Sequence, residues 1–202
     1  LKKNTVAFSG GYDITDKLKA SSSINFVNQN AVGRYGTGYD NRNPNQSFRQ
    51  WYQVSTDFVD QESAYFDTGK NISWNPYGPL DPGRATAPHY FDNYYFNRFE
   101  NFQNDERNRI IGNASLNYEL NSWFSIMGRV SMDRYNDIQE ERIADGSIDV
   151  PMYLRRNRDF SEMNYDLIAS FNKYFGADNK INFDGNLGMN IRRTTWNNIS
   201  AS

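Results

Sequence analysis

Apolar and polar residues alternate with a period of two in six long stretches of the chain. Val6, Phe8, Gly10, Tyr12 and Ile14 fall on one face, against Thr5, Ala7, Ser9, Gly11 and Asp13 on the other. After Thr15-Asp16-Lys17 the pattern resumes with Leu18, Ala20, Ser22, Ile24 and Phe26. A second pair of stretches carries Ile110, Gly112, Ala114, Leu116 and Tyr118, then Phe124, Ile126, Gly128, Val130 and Met132. A third carries Met163, Tyr165, Leu167, Ala169 and Phe171, then Ile181, Phe183, Gly185, Leu187, Met189 and Ile191. A period of two is that of a strand whose two faces meet different surroundings. The pattern predicts three hairpins, over residues 5–28, 107–135 and 160–196, joined by connections over 29–106 and 136–159. Tight turns at Thr15-Asp16-Lys17, Asn121-Ser122 and Gly176–Asn179 close the hairpins.

Strands in water-soluble domains usually run about 5–6 residues. These exceed the about 9–11 that cross a bilayer at a tilt. Unbroken alternation, with short turns at one end and long loops at the other, is the signature of an outer-membrane barrel. The fold class expected is therefore all-β, a transmembrane antiparallel β-barrel fragment of about six strands in three hairpins. Short turns would face the periplasm and long loops the outside. Arg109, Asn113, Asn117, Arg129, Asp133, Asn164, Asp166, Asn182, Asp184 and Asn186 would then face a water-filled lumen. Tyr12, Tyr118, Trp123, Phe124, Phe171 and Phe175, all beside short turns, fit an interfacial girdle. A soluble β-sandwich with one wet face per sheet explains the alternation equally well. It explains neither the strand length nor the asymmetry of the connections. Six strands do not close a barrel, since bacterial barrels start at eight, and open edges in lipid cost several kcal/mol per unpaired group. Leu1 follows no initiator Met or signal peptide and Ser202 falls in mid-pattern, so the expectation is an internal piece completed by further strands.

Composition narrows the alternatives. A net charge of −2 from 22 basic and 24 acidic residues lacks the basic excess of a nucleic-acid surface. No apolar run exceeds three residues, which excludes a membrane-spanning helix. With no cysteine there is neither a disulfide framework nor a thiolate site. A mean hydropathy of −0.84 would suit a disordered chain, but 16% aromatics do not. The 27 asparagines, beside those aromatics and few aliphatics, fit strands with one wet and one apolar face.

The 29–106 connection is too long to be structureless. Phe48, Trp51 and Tyr52 have helical spacing, which predicts a short amphipathic helix over Ser47–Val54, and a further helical turn is expected near Gln61 to Tyr65. Trp74-Asn75-Pro76-Tyr77-Gly78-Pro79 is turn chemistry, and His89 to Phe96 is dense in rings. Trp51, Trp74, Tyr77, Tyr94 and Tyr95 are the candidate ligand contacts, as aromatics beside Asn and Asp stack on sugars or grip peptides. The competing reading is that they pack the loop against itself. No catalytic residues are identified, because nucleophile, phosphate-loop and zinc patterns are all absent. His89 alone makes neither a metal site nor a base, and no cofactor is expected. Asp105, Glu106, Arg107 and Arg109 read as a lumen-facing ion network, and Glu140-Glu141-Arg142 as the start of a solvated loop.

The run Asn104-Asp105-Glu106-Arg107-Asn108-Arg109-Ile110-Ile111-Gly112-Asn113-Ala114-Ser115-Leu116-Asn117-Tyr118, with Asn121-Ser122-Trp123-Phe124 and Gly128-Arg129-Val130, resembles the SusC/RagA family of TonB-linked outer-membrane transporters of the Bacteroidota. Phe48-Arg49-Gln50-Trp51, Glu141-Arg142-Ile143-Ala144, Asn164-Tyr165-Asp166-Leu167, Phe171-Asn172-Lys173 and Asn190-Ile191-Arg192-Arg193 extend the resemblance, in order, over nearly the whole chain. Members often read Asp-Asn-Pro-Tyr-Trp where this chain has Asp92-Asn93-Tyr94-Tyr95-Phe96. The resemblance implies a 22-stranded barrel with an N-terminal plug, not in this chain, energised through TonB by an upstream segment. It implies a SusD-like surface lipoprotein as partner, outer-membrane lipid around the barrel, and import of an oligosaccharide or peptide substrate. A passive porin or adhesin-type barrel, a barrel serving a larger surface assembly, and a soluble carbohydrate-binding β-sandwich are the alternatives.

Overall fold

Each alternating stretch forms one strand. The computed structural model describes residues 1–34, 36, 38–40, 42–176 and 180–202. The strands are β1 (Lys2–Asp13), β2 (Leu18–Ala31), β3 (Phe102–Asn121), β4 (Phe124–Ile143), β5 (Met152–Phe175) and β6 (Ile181–Ala201). They pair antiparallel in chain order as one six-stranded sheet, so the architecture is all-β. All three hairpin turns lie at one end, and the two longer connections lie at the other. Thr15 builds the first turn, its hydroxyl oxygen accepting from the backbone N–H of Lys17 and Leu18. Asn121 builds the second, accepting from Trp123 N at 3.1 Å. Of the third, residues 177–179 lie outside the described residues.

Register carries the phase of the alternation across the whole sheet. Phe8 lies opposite Ile24, Ile24 opposite Gly112, Gly112 opposite Met132, and Met132 opposite Met163. The next rows read Gly10, Ser22, Ala114, Val130, Tyr165, Ile191, and then Tyr12, Ala20, Leu116, Gly128, Leu167, Met189. A slip of one residue at any pair would turn a strand's apolar set over, so the six phases agree only in this register. The apolar band on β6 runs from Ile181 to Ile191, about 34 Å along the strand at about 3.4 Å per residue. Arg134 and Arg193 stand on this face at its long-connection end. At the turn end Lys173 lays its ammonium 4.5 Å from the Trp123 ring and 5.2 Å from the Phe175 ring.

Nothing among the described residues packs on the band. Phe8 is 69% exposed and Leu187 74%, and the buried hydrophobic residues are Ala31, Phe96, Ile143 and Ala144, near the long connections. The sheet is open: β1 pairs only with β2, and β6 only with β5, among the described residues.

The ladders outrun the alternation that predicted them. β3 and β4 extend the 107–135 hairpin to 102–143, and β5 starts at Met152, so the connection expected over 136–159 shrinks to 144–151. Backbone pairing needs no apolar face, so the ladder continues where both faces turn polar and the pattern falls silent. Glu140, Glu141 and Arg142 are consequently strand residues: Glu140 accepts from Tyr153, Glu141 from Gln103, and Arg142 lies 3.7 Å from Glu100. Within residues 32–101 the helices are α1 (Pro44–Gln46), a π-helical turn (Ser47–Trp51), α2 (Phe58–Thr68) and α3 (Tyr94–Phe99). The helix expected over Ser47–Val54 thus begins earlier, ends at Trp51 and is partly π. The turn near Gln61–Tyr65 is the middle of α2.

Gly112 sits where β2 approaches most closely. A Cβ there would lie 2.8 Å from the Ser23 carbonyl oxygen, whereas a Cβ on Gly128 would meet nothing within 4 Å. In urea unfolding, Gly112→Ala is expected to destabilise by about 1–3 kcal/mol. Gly128→Ala should be neutral or stabilising by up to about 1 kcal/mol. Equal stability of the two variants would contradict the close approach of β2 and β3.

Candidate functional site

Two surfaces bear the predicted site residues: the body formed by residues 32–101 at one end of the sheet, and the polar sheet face.

Asparagine organises the body by standing in for backbone. Asn93 is 0% exposed. Its side-chain oxygen caps α3, accepting from Tyr95 N at 2.8 Å and Phe96 N at 3.3 Å. Its amide donates to the carbonyls of Gln61 and Ile72 at 2.8 and 2.7 Å. Tyr94 occupies the first helical position, where proline is favoured because its missing N–H would be unpaired anyway; the Asn93 cap starts the helix without it. Asn75 Oδ1 accepts from the N–H of His89, Tyr90 and Phe91. Asp92 binds the 144–151 connection through Ser147 Oγ at 2.6 Å and Ile148 N at 2.9 Å, and Asn71 donates to it at 2.7 Å. The two connections are therefore one hydrogen-bonded unit.

Four of the five candidate ligand contacts lie in one aromatic cluster. Trp51 leans on Phe91 at 5.9 Å, and Trp74 stacks on Phe91 and meets Tyr52 edge-on at 5.2 Å. Tyr52 continues to Phe58, Phe58 to Tyr94, Tyr94 to Tyr95, and Tyr95 to Phe66. Tyr95 also donates to Glu62 at 3.2 Å. This is the body's own core, with Trp51 at 49% exposure its most open candidate. Tyr77 stands apart, against His89 at 4.3 Å with the Arg84 guanidinium 4.1 Å above its ring. Burial pushes the Tyr52 phenol up to about 12.

The polar face gathers all ten residues expected to share a lumen side. Arg109 and Asp133 pair through two hydrogen bonds, and Arg129 donates to Asp166, which also accepts from Asn190 at 2.7 Å. Asn113 donates to Ser23, Asn164 to Glu162, and Asn172 to Asp184. Asn117, Asn182 and Asn186 share this face by register. Of the charge cluster at the start of β3, Asp105, Arg107 and Arg109 lie on it, paired with Arg34, Asp137 and Asp133. Glu106 does not: its even position turns it to the opposite face, where it accepts from Asn108.

One feature of this face was missed in the sequence. Register sets Arg109, Tyr135, Phe160 and Trp196 in a single cross-strand row. Tyr135 and Phe160 stack at 5.0 Å, and Trp196 meets Phe160 at 6.0 Å and Tyr135 at 6.4 Å. Arg107 covers Tyr135 at 5.0 Å. Each ring continues the polar-face phase of its own strand, two residues beyond Asp133, Thr194 or Glu162. Only the register makes three isolated aromatics a row. Among the described residues no group of His, Cys, Asp and Glu is placed to hold a metal ion, and His89 lies in the ring contacts of Tyr77 and Tyr90.

Compared with models of known protein families and with curated proteins, the chain matches none. The architecture alone defines its class: an all-β antiparallel sheet, apolar on one face and ion-paired on the other, with a folded loop body at one end.

Asn93→Ala is expected to loosen the body by about 2–4 kcal/mol, through the lost cap and two buried carbonyls left unpaired. Hydrogen exchange should then speed up over residues 58–99 while β3–β6 stay protected; unchanged exchange in that segment would contradict the account. A second test is acid. Burial pushes the Asp40 carboxyl up, but hydrogen bonds and charge from Arg42 outweigh it and hold it below the ordinary 3.8. Because the folded value is depressed, its stabilisation is present above 3.8 and lost as pH falls through the lower folded value. Arg42 also bridges to Glu141 at 2.6 Å, so a nitroxide at Asn45→Cys should gain mobility below pH 3.8. Asp40→Asn should show that mobility already at neutral pH, and a spectrum constant across this range would refute the tie.

Proposed function

We propose that the chain is part of the barrel wall of a TonB-dependent outer-membrane transporter of the SusC/RagA kind. It imports oligosaccharides, oligopeptides or similar nutrients in partnership with a SusD-like surface lipoprotein. The observation that carries the reading is the contrast between the two faces. The sheet offers an uncovered apolar belt across six strands, bounded by Arg134 and Arg193 at one end and by Lys173 over Trp123 and Phe175 at the other. A monomer in water rarely exposes an apolar patch beyond a few hundred Å², whereas lipid is its natural solvent. The opposite face is studded with ion pairs, as the wall of a water-filled route requires.

The resemblance supplies what the sheet leaves open: 22 strands, a plug, coupling to TonB, and a lid over the mouth. In this reading the body of residues 32–101 with 144–151 forms part of the extracellular vestibule. Substrate is held beneath the lipoprotein, and plug rearrangement opens a path down the polar face. The full-length protein, extracted from outer membranes in mild detergent, should co-purify with a lipoprotein in one-to-one ratio by mass spectrometry. Uptake of its cargo by cells should stop when the proton-motive force is collapsed. A barrel recovered alone, with uptake indifferent to energy, would leave a passive porin. Recovery in the soluble fraction would defeat the membrane reading altogether.

A further inference from the structure

The aromatic row on the polar face has an electrostatic neighbour. One row further from the hairpin turns, about 7 Å along the strands, lie Arg107, Asp137, Arg158 and Asn198. Arg107 Nη2 and Arg158 Nη1 approach the same oxygen, Asp137 Oδ2, at 3.2 and 3.9 Å. One carboxylate thus faces two guanidiniums and leaves a surplus positive charge. Asp137 is 1% exposed, while the Arg107 and Arg158 side chains are 43% and 31% exposed, so the cationic groups stand in front. Asp137 Oδ1 and Arg107 Nε are buried with no hydrogen-bond partner among the described residues, so polar capacity remains unused. Beyond them Arg156 has no ion-pair partner among the described residues. In the ring row and on its turn side, by contrast, Arg109–Asp133 and Arg192–Glu162 are closed pairs. Arg107 shields Tyr135, and Trp196, the member of the row on β6, is 56% exposed.

We propose that Phe160 and Trp196, with Arg107 and Arg158, form a binding subsite for an acidic saccharide, a sugar ring carrying a carboxylate or sulfate. The C–H face of a pyranose lies on the exposed Trp196 ring, with Phe160 beside it at 69°, and the two rings are the apolar step in an otherwise polar wall. The anionic substituent takes the surplus charge, for which the planar guanidinium fork is suited to bidentate contact. A neutral sugar gains the rings alone, and a peptide carboxylate the charge alone. This rests on the reading of the polar face as a transport route and narrows the cargo for it.

The test uses full-length protein in detergent and isothermal titration with a galacturonic acid trimer, a sulfated chondroitin disaccharide, maltotriose and an acidic tripeptide. Binding is expected for the two acidic sugars, at least about tenfold tighter than for maltotriose or the peptide. Trp196→Ala should abolish it and Trp196→Phe largely restore it, both variants keeping wild-type heat-modifiable gel mobility. Arg158→Gln should erase the preference for acidic over neutral sugar. Equal binding of maltotriose, tighter binding of the peptide, or Trp196→Ala binding as well as wild type would overturn the proposal. Binding in detergent needs no energy source, so these outcomes are separable from a failure of energised uptake. Energy-dependent uptake of a neutral sugar or peptide, without acidic-sugar binding, would sink the subsite and leave the transporter reading standing.

Discussion

The antiparallel ladder from β1 to β6 is the constraint on which every other feature depends. Strand side chains alternate strictly, so the pairing of Phe8 with Ile24, and of each later row, decides which residues share a face. That single register makes an apolar belt out of side chains that no core covers. On the reverse it brings Arg109 to Asp133, Arg129 to Asp166 and Asn172 to Asp184, so the carboxylates of one strand are met by donors of the next. The same ladder aligns Tyr135, Phe160 and Trp196 from three strands. Belt, ion network and aromatic row are consequences of one hydrogen-bond pattern.

At the far end the chain leaves the sheet for long excursions, and there the organising group changes. Backbone carbonyls and N–H groups of an irregular segment have no neighbouring strand to pair with. Asn71, Asn75, Asn93 and Asn101 take that place, each with a donor and an acceptor on one short side chain. Asp92 ties the 144–151 connection to the body. The rings from Trp51 to Phe99 then exclude water from a small core that the sheet itself lacks.

Hairpin order, strand phase and the first two turns were legible in the sequence because period-two alternation persists across the belt. The upper strand segments were not, since Gln139 to Ile143 and Met152 to Arg158 have no consistent apolar face, although their backbones pair in register. In the body, spacing found the middle of α2 and the general ring density. It missed α3, whose cap, Asn93, binds partners 21 and 32 residues away. Trp51, Trp74, Tyr94 and Tyr95, expected as ligand contacts, lie in one aromatic cluster whose ring contacts are those of a core. The Tyr135–Phe160–Trp196 row depends on three registers at once, which no local window contains.

The central claim is that the apolar belt meets lipid and the ion-paired face meets water. Nitroxides placed one at a time from Ile181 to Arg192 on the full-length protein in bilayers test it, through relaxation by oxygen and by a water-soluble nickel complex. The account predicts a period of two: Ile181, Phe183, Leu187, Met189 and Ile191 open to oxygen, and Asn182, Asp184, Asn186 and Asn190 open to nickel. Oxygen accessibility without that period, or nickel reaching both faces equally, would contradict it.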